Sequence, residues 1–160
     1  MPEVAIHSMA SRPEWIGPCA AWWHAQWGQH MGYSLTGAEA AITALTSPDS
    51  GQAALIALVD GIPAGSVFLV DRDLETHTHL TPWLAGLFVL PAFRCMGIGE
   101  ALVSAIIAHA SAASRKRLYL YTSLGEFYRR RGWTRQEVII LHEVEHEIMT
   151  RALADIGSPA

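Results

Sequence analysis

The chain has 160 residues, of which 51% are hydrophobic, and a formal charge of -4 at pH 7. This size and apolar content suit one buried core, so we expect a single domain over residues 1–160. The charged fraction of 16% argues against a disordered chain, and the net negative charge gives no electrostatic reason to expect nucleic acid or an anionic membrane as partner.

The first third of the chain predicts a strand and two helices. Residues 4–9 form a short mixed run that suits a strand. Over residues 13–29 apolar side chains recur at helical spacing, and Pro13 suits the first turn of a helix. The alanine-rich residues 37–45, closed by SPDSG, predict a second, shorter helix.

The middle of the chain predicts a hairpin and a buried strand. The β-rich runs AALIALVD and PAGSVFLVD flank Asp60-Gly61, a dipeptide that favours tight turns. The polar loop DRDLETHTHLTP then leads to WLAGLFVL, an apolar run typical of a strand in the middle of a sheet. A helix over residues 99–113, the strand RLYLYT, a short helix in LGEFYRRRGW that ends at Gly132, and a β-rich tail follow.

The segment LFVLPAFRCMGIGEALV joins that buried strand to the long helix through a turn with Arg94, Gly97 and Gly99. Glycines let the backbone approach a ligand, and the first amides of a helix are unsatisfied donors with partial positive charge. Such a turn suits a diphosphate. A turn of this kind is also compatible with a plain structural connection.

Two motifs carry a resemblance to a known family. Arg94-x-x-Gly97-x-Gly99 matches the R/Q-x-x-G-x-G/A signature of the GCN5-related N-acetyltransferases, the GNAT family, and LYLYTSLGEFYRRRGW resembles the later block of that family. The resemblance covers residues 55–133, whereas the N-terminal helices agree only in their order. The main departure is Cys95, where many relatives carry glycine.

The resemblance implies an α+β fold with a mixed, mostly antiparallel sheet of six to seven strands, about four helices, and strands 4 and 5 parallel and splayed. It further implies that acetyl-coenzyme A lies between those two strands and that its acetyl group passes directly to a primary amine in a ternary complex. The residues implied in binding the cofactor are Leu87, Phe88, Val89, Arg94, Cys95, Met96, Gly97, Ile98, Gly99 and Glu100.

The resemblance also assigns one of the two proton-transfer roles. Tyr128 occupies the place where the family keeps a tyrosine that protonates the leaving sulfur, although a packing aromatic would look the same. The base is harder to assign, because the position that aligns with the glutamate of some relatives is Trp83. The loop upstream offers Glu75, His77 and His79, of which Glu75 and His79 are our candidates, although a solvated polar loop also explains them.

The first two helices and the loop after residue 74 are expected to recognise the acceptor. Indole faces attract alkylammonium groups. Trp23 and Trp27 share the apolar stripe and are predicted to be core, so Trp22 is the candidate wall of the site. Tyr33 is placed at the same mouth.

Two basic clusters, residues 115–117 and 129–131, flank the second motif. Either could contact the 3'-phosphate of coenzyme A, or both could form a solvated basic face.

The stretch HEVEH, residues 142–146, matches H-E-x-x-H, which on a helix holds zinc between two imidazoles. Its neighbours EVIIL and HEIMTRAL predict strands joined by a turn near residues 142–145, a geometry that removes the helical spacing. A helix is the alternative, because Leu141, Val144, Ile148 and Leu153 are also spaced about a helical turn apart. We expect strands and no metal.

Two other functions stay open: an acyl-CoA-binding regulatory module without turnover, and a protein or peptide N-acetyltransferase. A small-molecule amine is the expected acceptor, with neither nucleic acid nor membrane as partner, and a homodimer stays open. The two cysteines are too few for a disulfide framework, and the N-terminus lacks the pattern of a signal peptide. A cytoplasmic location is therefore expected.

Overall fold

Residues 2–154 are described by the computed structural model, and they form a seven-stranded sheet in the order β1-β2-β3-β4-β5-β7-β6. The strands are β1 (Val4–Ser8), β2 (Ala53–Val59), β3 (Ile62–Val70), β4 (Trp83–Val89), β5 (Arg117–Thr122), β6 (Thr134–Leu141) and β7 (Val144–Ala152). The α-helices are α1 (Ile16–Trp23), α2 (Leu35–Leu45), α3 (Ile98–Ala112) and α4 (Gly125–Arg129). Neighbouring strands are antiparallel except β4 and β5, which are parallel. The predicted fold is confirmed.

Helices cover both faces of the sheet. All seven residues of β2 are buried, because side chains of a strand alternate between the faces. Leu55, Ala57 and Val59 pack in one core with residues of α3, and Ala54, Ile56 and Leu58 pack in a second core with residues of α1 and α2. The sheet thus separates an α3 side from an α1–α2 side.

Both predicted turns are confirmed by the backbone. Asp60 and Gly61, between β2 and β3, have φ angles of 48° and 81°. Two consecutive positive φ angles are those of the type I′ turn that the Asp-Gly dipeptide favours. His142 and Glu143, between β6 and β7, have φ angles of 49° and 67°, which gives the last two strands an equally tight connection.

The first helical region is less regular than its spacing predicts. The chain forms a 3-10 turn over Pro13–Trp15, then α1, and then a π-helical turn over His24–Gly28. The second helix begins at Leu35, two residues earlier than predicted, because the Ser34 Oγ accepts a hydrogen bond from the Gly37 amide at 3.0 Å and caps it. No helix within residues 2–154 is long and apolar enough to cross a membrane.

Candidate active site

The strands β4 and β5 pair at a single position, Trp83 opposite Tyr119. The Tyr119 amide there donates to the Pro82 carbonyl at 3.1 Å. Beyond this pair, β4 continues to bond to β3 as far as Val89, opposite Gly65, but no described strand covers its other edge. This space between the two strands, the β4–β5 gap, leaves backbone donors and acceptors of β4 free. Leu87, Phe88 and Val89 lie on this stretch of β4.

A bulge at Gly86 shapes this part of β4. The φ angle of Gly86 is 61°, and the β3–β4 register shifts opposite it, between Ser66 and Phe68. A Cβ atom at position 86 would lie 2.3 Å from the Phe68 ring, so only glycine fits without a shift of that ring. Because bulges bend a strand, Gly86 helps to set the course of the free edge.

The turn after β4 is held against the strand by Arg94. The Arg94 Nε donates to the Val89 carbonyl at 2.9 Å, and its guanidinium lies over the Phe88 ring at 5.5 Å. Cys95 adopts a φ angle of 63°, a conformation that glycine takes more readily. Cys95, the residue that departs from the family signature, therefore has the left-handed backbone conformation that a glycine would readily adopt at this position.

The turn presents free amides at the start of α3. The first amide of the helix with a helical partner is that of Ala101, which donates to the Gly97 carbonyl at 3.0 Å. The amides of residues 98–100 have no carbonyl four residues earlier within the helix to bond. Gly97 has a φ angle of 79°, and a Cβ atom there would meet nothing within 4 Å. Open space thus borders a set of donors at the positive end of a 15-residue helix.

Tyr128 lies in α4 and is only 7% exposed. Its ring packs edge-on against those of Phe127 and Trp133, in the core on the α3 side of the sheet. Burial raises the pKa of Tyr128 to about 12, against an opposing effect from the charge of Arg131. The hydroxyl therefore carries its proton at neutral pH and is a weaker acid than that of an ordinary tyrosine.

A cavity of about 930 Å³, the large cavity, includes Tyr121 of β5 in its wall. Successive residues of a strand face opposite sides: Leu118 and Leu120 belong to the core with α3, whereas Tyr119 and Tyr121 pack with Trp83 in a third cluster. The large cavity therefore lies on the face of β5 opposite Tyr128. Its lining residues are Gln26, Trp27, His30, Met31, Asp73, Leu74, Glu75, Thr76, Tyr121, Leu141, His142 and His146.

Asp73 is a lining residue that the sequence did not single out. Its side chain is half-buried, and burial raises its pKa to about 7. Burial raises the pKa of Tyr121 to about 12, and the charge of Asp73 adds to this. Both side chains line the large cavity. In the sequence, Asp73 is one of several polar residues in a loop, and no spacing distinguishes it.

The predicted bases are placed differently from one another. Glu75 is exposed and lines the large cavity. His77 does not line the cavity, and its Nε2 lies 3.1 Å from a carboxylate oxygen of Glu137 on β6. His79 is exposed, stacks on His77 with ring centroids 5.9 Å apart, and is not part of the wall. Of the two candidates, the structure brings only Glu75 to the cavity.

The tryptophan assignment is wrong in two places. Trp22, predicted to be a wall of the site, is buried and donates from Nε1 to the Ser66 Oγ at 2.9 Å. Trp27, predicted to be core, lines the large cavity. The π-helical turn that begins at His24 changes the angle between successive side chains, so a 3.6-residue period does not give the face of Trp27. Tyr33 packs edge-on against the half-buried Trp23 rather than lining the cavity.

The two basic clusters lie at opposite ends of α3. Residues 115–117 follow its C-terminal end, about 20 Å from the turn at its N-terminus for a helix of 15 residues. The other cluster is beside the turn, since Arg131 Nη2 lies 3.5 Å from a Glu100 carboxylate oxygen. Arg129 is bound to Glu147 at 2.7 Å. Of the two clusters, residues 129–131 are the one beside the turn, and a contact of either cluster with the 3'-phosphate stays a prediction.

The HEVEH stretch forms strand, turn and strand, and the helical alternative is wrong. His142 lies in the β6–β7 turn and His146 on β7, 6.0 Å from Tyr121 between ring centroids. In the part of the chain that the structure describes, no group of three His, Cys, Asp or Glu side chains is arranged to hold a metal ion. Both histidines instead contribute imidazoles to the wall of the large cavity.

Comparison with known proteins agrees with this geometry. The family model described as the acetyltransferase (GNAT) family matches residues 19–133. No curated protein matches the sequence significantly.

Solved structures share the fold at low identity. A GNAT-family acetyltransferase from Streptococcus pneumoniae aligns with a TM-score of 0.72 at 17% identity, over 95% of this chain and all of its own. An aminoglycoside 6'-acetyltransferase type Ii gives 0.72 at 17% identity, over 97% of this chain and 99% of that one. A putative acetyltransferase from Salmonella typhimurium, solved with acetyl-CoA, gives 0.71 at 16% identity, over 98% of each chain.

Proposed function

The chain belongs to the acetyltransferase (GNAT) family, and we propose that it transfers the acetyl group of acetyl-CoA to a primary amine of a small molecule, by direct attack in a ternary complex. One observation carries this proposal. The β4–β5 gap has a turn of free amides on the α3 side and a large cavity on the opposite face of β5. Donor and acceptor can therefore reach the gap from different sides.

The residues around the turn fit a coenzyme A. Free amides at the start of α3 suit the diphosphate, since the N-terminus of a helix is positively polarised. The open space at Gly97 lets the ligand approach the backbone closely. The free edge of β4 offers the amides and carbonyls that a pantetheine arm pairs with. The solved relative from Salmonella typhimurium contains acetyl-CoA, which supports the same donor here.

The wall of the large cavity suits an amine with an apolar body. Its volume of about 930 Å³ lies within the range of small-molecule sites, roughly 300–1,000 Å³. Trp27, Met31, Leu74, Tyr121 and Leu141 offer apolar or aromatic surface. The carboxylates of Asp73 and Glu75, which also lie in the wall, would attract an ammonium group. Because most of this wall is uncharged, we expect a monocationic amine to bind better than a polycation.

The chemistry requires that charge be stabilised and that protons move. A free amide on β4 would donate to the thioester oxygen as negative charge develops there. The amine nitrogen forms a bond to the carbonyl carbon, and the bond from that carbon to sulfur breaks. Tyr128 then supplies its hydroxyl proton to the departing thiolate. Acetyl-CoA contributes the activated acyl group, and the protein contributes orientation and proton transfer.

The test is release of coenzyme A from acetyl-CoA with four acceptors: 2-phenylethylamine, spermidine, kanamycin A, and a short peptide with a free N-terminus and a lysine. We expect the highest kcat/KM with 2-phenylethylamine. Turnover of the peptide alone would favour the protein N-acetyltransferase, and binding of acetyl-CoA without turnover of any acceptor would favour the regulatory module.

A further inference from the structure

We propose that Asp73 is the general base that removes a proton from the substrate ammonium group, an assignment that rests on the acetyl transfer proposed above. The position that aligns with the base of some relatives is Trp83, which is fully buried and uses its Nε1 to donate to the Leu80 carbonyl at 2.7 Å. An indole cannot accept a proton at neutral pH. The reaction therefore needs a proton acceptor from another element.

Asp73 is placed where the gap opens. It lies just after β3, between Val70 and the 3-10 turn Glu75–His77, and it lines the large cavity. Tyr121, which lines the same cavity, is two residues beyond Tyr119, the last residue of β5 that pairs with β4. Two residues of a strand span about 7 Å. Asp73 thus lines the same cavity as a residue of β5 that lies just beyond the last β4–β5 pair.

The surroundings of Asp73 leave its carboxylate without a protein cation. Within residues 2–154, no Arg, Lys or His forms a salt bridge with it. The titratable groups that share the cavity wall come from every element around it: Glu75 from the same loop, His30 after the π-helical turn, Tyr121 from β5, and His142 and His146 from the β6–β7 hairpin. An ammonium substrate would supply the missing positive partner.

The acid–base properties of Asp73 agree with this role. Burial raises its pKa to about 7, so the carboxylate is a stronger base than an ordinary aspartate and is still ionised in much of the population at neutral pH. The other carboxylate of the cavity wall, Glu75, is exposed to solvent. His77 is engaged with Glu137. Asp73 therefore combines access to the cavity with a basicity suited to the reaction.

The proton and electron balance is complete with groups already named. An N–H bond of the ammonium breaks, and the proton bonds to a carboxylate oxygen of Asp73. The freed nitrogen lone pair attacks the thioester carbon, and the carbon–sulfur bond breaks with its electron pair on sulfur. The thiolate takes the Tyr128 proton. The nitrogen, which is cationic after the attack, releases its second proton to water, and Tyr128 regains a proton from water after CoA leaves. Asp73 returns its own proton to water in the cavity after the amide product leaves.

The test compares Asp73→Asn with the control Asp71→Asn, using 2-phenylethylamine or the best acceptor of the four above. Asp71 lies in the same segment but is paired with Arg115 at 3.4 Å and is not part of the cavity wall. We expect Asp73→Asn to lower kcat about 10²- to 10⁴-fold at pH 7, and Asp71→Asn to leave it unchanged. Acetyl-CoA affinity should be the same in all three proteins.

The pH profile separates proton transfer from simple binding of the ammonium group. Wild-type kcat/KM, which reports ionisations of the free enzyme, should fall on the acidic side with an inflection near pH 7. In Asp73→Asn that inflection should disappear, and the remaining rate should rise with pH as more of the free amine forms in solution. A merely structural role would not move the inflection.

Three results would overturn the assignment. Asp73→Asn could retain wild-type kcat and the wild-type profile. It could raise KM for the amine with kcat unchanged, which would make Asp73 an ammonium-binding residue only. The loss could instead appear in Glu75→Gln, which would move the role to Glu75. Absence of wild-type turnover with all four acceptors is a different failure, since it removes the proposed function itself and the inference with it.

Discussion

Replacement of Asp73 by asparagine should make the protein more stable at alkaline pH. Burial raises the pKa of Asp73 from its ordinary 3.8 to about 7. Because the folded-state pKa is raised, the stability that this group contributes is fully present below about pH 3.8 and is lost as the pH rises through about 7. At pH 8 the wild type therefore carries the whole cost of an ionised, half-buried carboxylate, which the uncharged asparagine avoids.

The size of the effect follows from the shift. Three pKa units correspond to about 4 kcal/mol at 1.36 kcal/mol per unit. Since Asp73 borders a cavity that water can enter, we discount this to about 1–2 kcal/mol at pH 8. For a domain of this length, that raises Tm by about 3–6 °C. At pH 5 the folded carboxyl is largely protonated, so about a third of the gain should remain.

The assay is thermal unfolding followed by circular dichroism at pH 5 and pH 8, with urea titrations to obtain the free energy of unfolding. Asp71→Asn is the matched control, because the Asp71 side chain is 48% exposed and should change stability by no more than about 0.5 kcal/mol. The reasoning is refuted if Asp73→Asn unfolds at or below the wild-type Tm at pH 8. An equal gain at both pH values would also contradict it.

Three further predictions concern the donor site, the acid and the acceptor wall. Gly97→Leu should remain folded, with a penalty of about 1–2 kcal/mol from its positive φ angle, but should lose the rise in Tm that millimolar acetyl-CoA gives the wild type. Tyr128→Phe should bind acetyl-CoA normally and turn over about 10²- to 10⁴-fold more slowly, as measured by CoA release under saturation; wild-type kcat would remove Tyr128 from the mechanism. Trp27→Ala should raise KM for 2-phenylethylamine with little change in Tm. Trp22→Phe should instead lower the free energy of unfolding by about 1–3 kcal/mol, because Ser66 loses its buried donor. The reverse pattern would show that Trp22, and not Trp27, lines the acceptor site.

The features that sequence predicted well are those that depend on local chemistry. The Asp60-Gly61 turn follows from a dipeptide that tolerates two positive φ angles, and the structure has both. The order of elements, the parallel β4–β5 pair and the family were equally accessible, because a signature turn between a buried strand and a helix fixes several residues at once. The two strands on either side of His142 were also predicted correctly, from the β-rich and alternating sequences that flank this residue.

The features that sequence missed depend on contacts between distant elements. Asp73 is distinguished only by its place in the wall of the large cavity, which it shares with Tyr121, 48 residues away in the chain. Trp27 was wrongly assigned to the core because no sequence pattern predicts the π-helical turn that begins at His24. The residues 115–117 look as suitable for a phosphate as residues 129–131, and only the length of α3 separates their positions.

The most direct test of the central claim is the initial rate of CoA release over a grid of acetyl-CoA and 2-phenylethylamine concentrations, with the product identified by mass spectrometry. Direct attack in a ternary complex predicts intersecting reciprocal plots and one N-acetylated amine formed for each CoA released. Parallel plots would indicate an acetylated enzyme as intermediate. Parallel plots, or the absence of N-acetylated product while acetyl-CoA binds, would contradict the account.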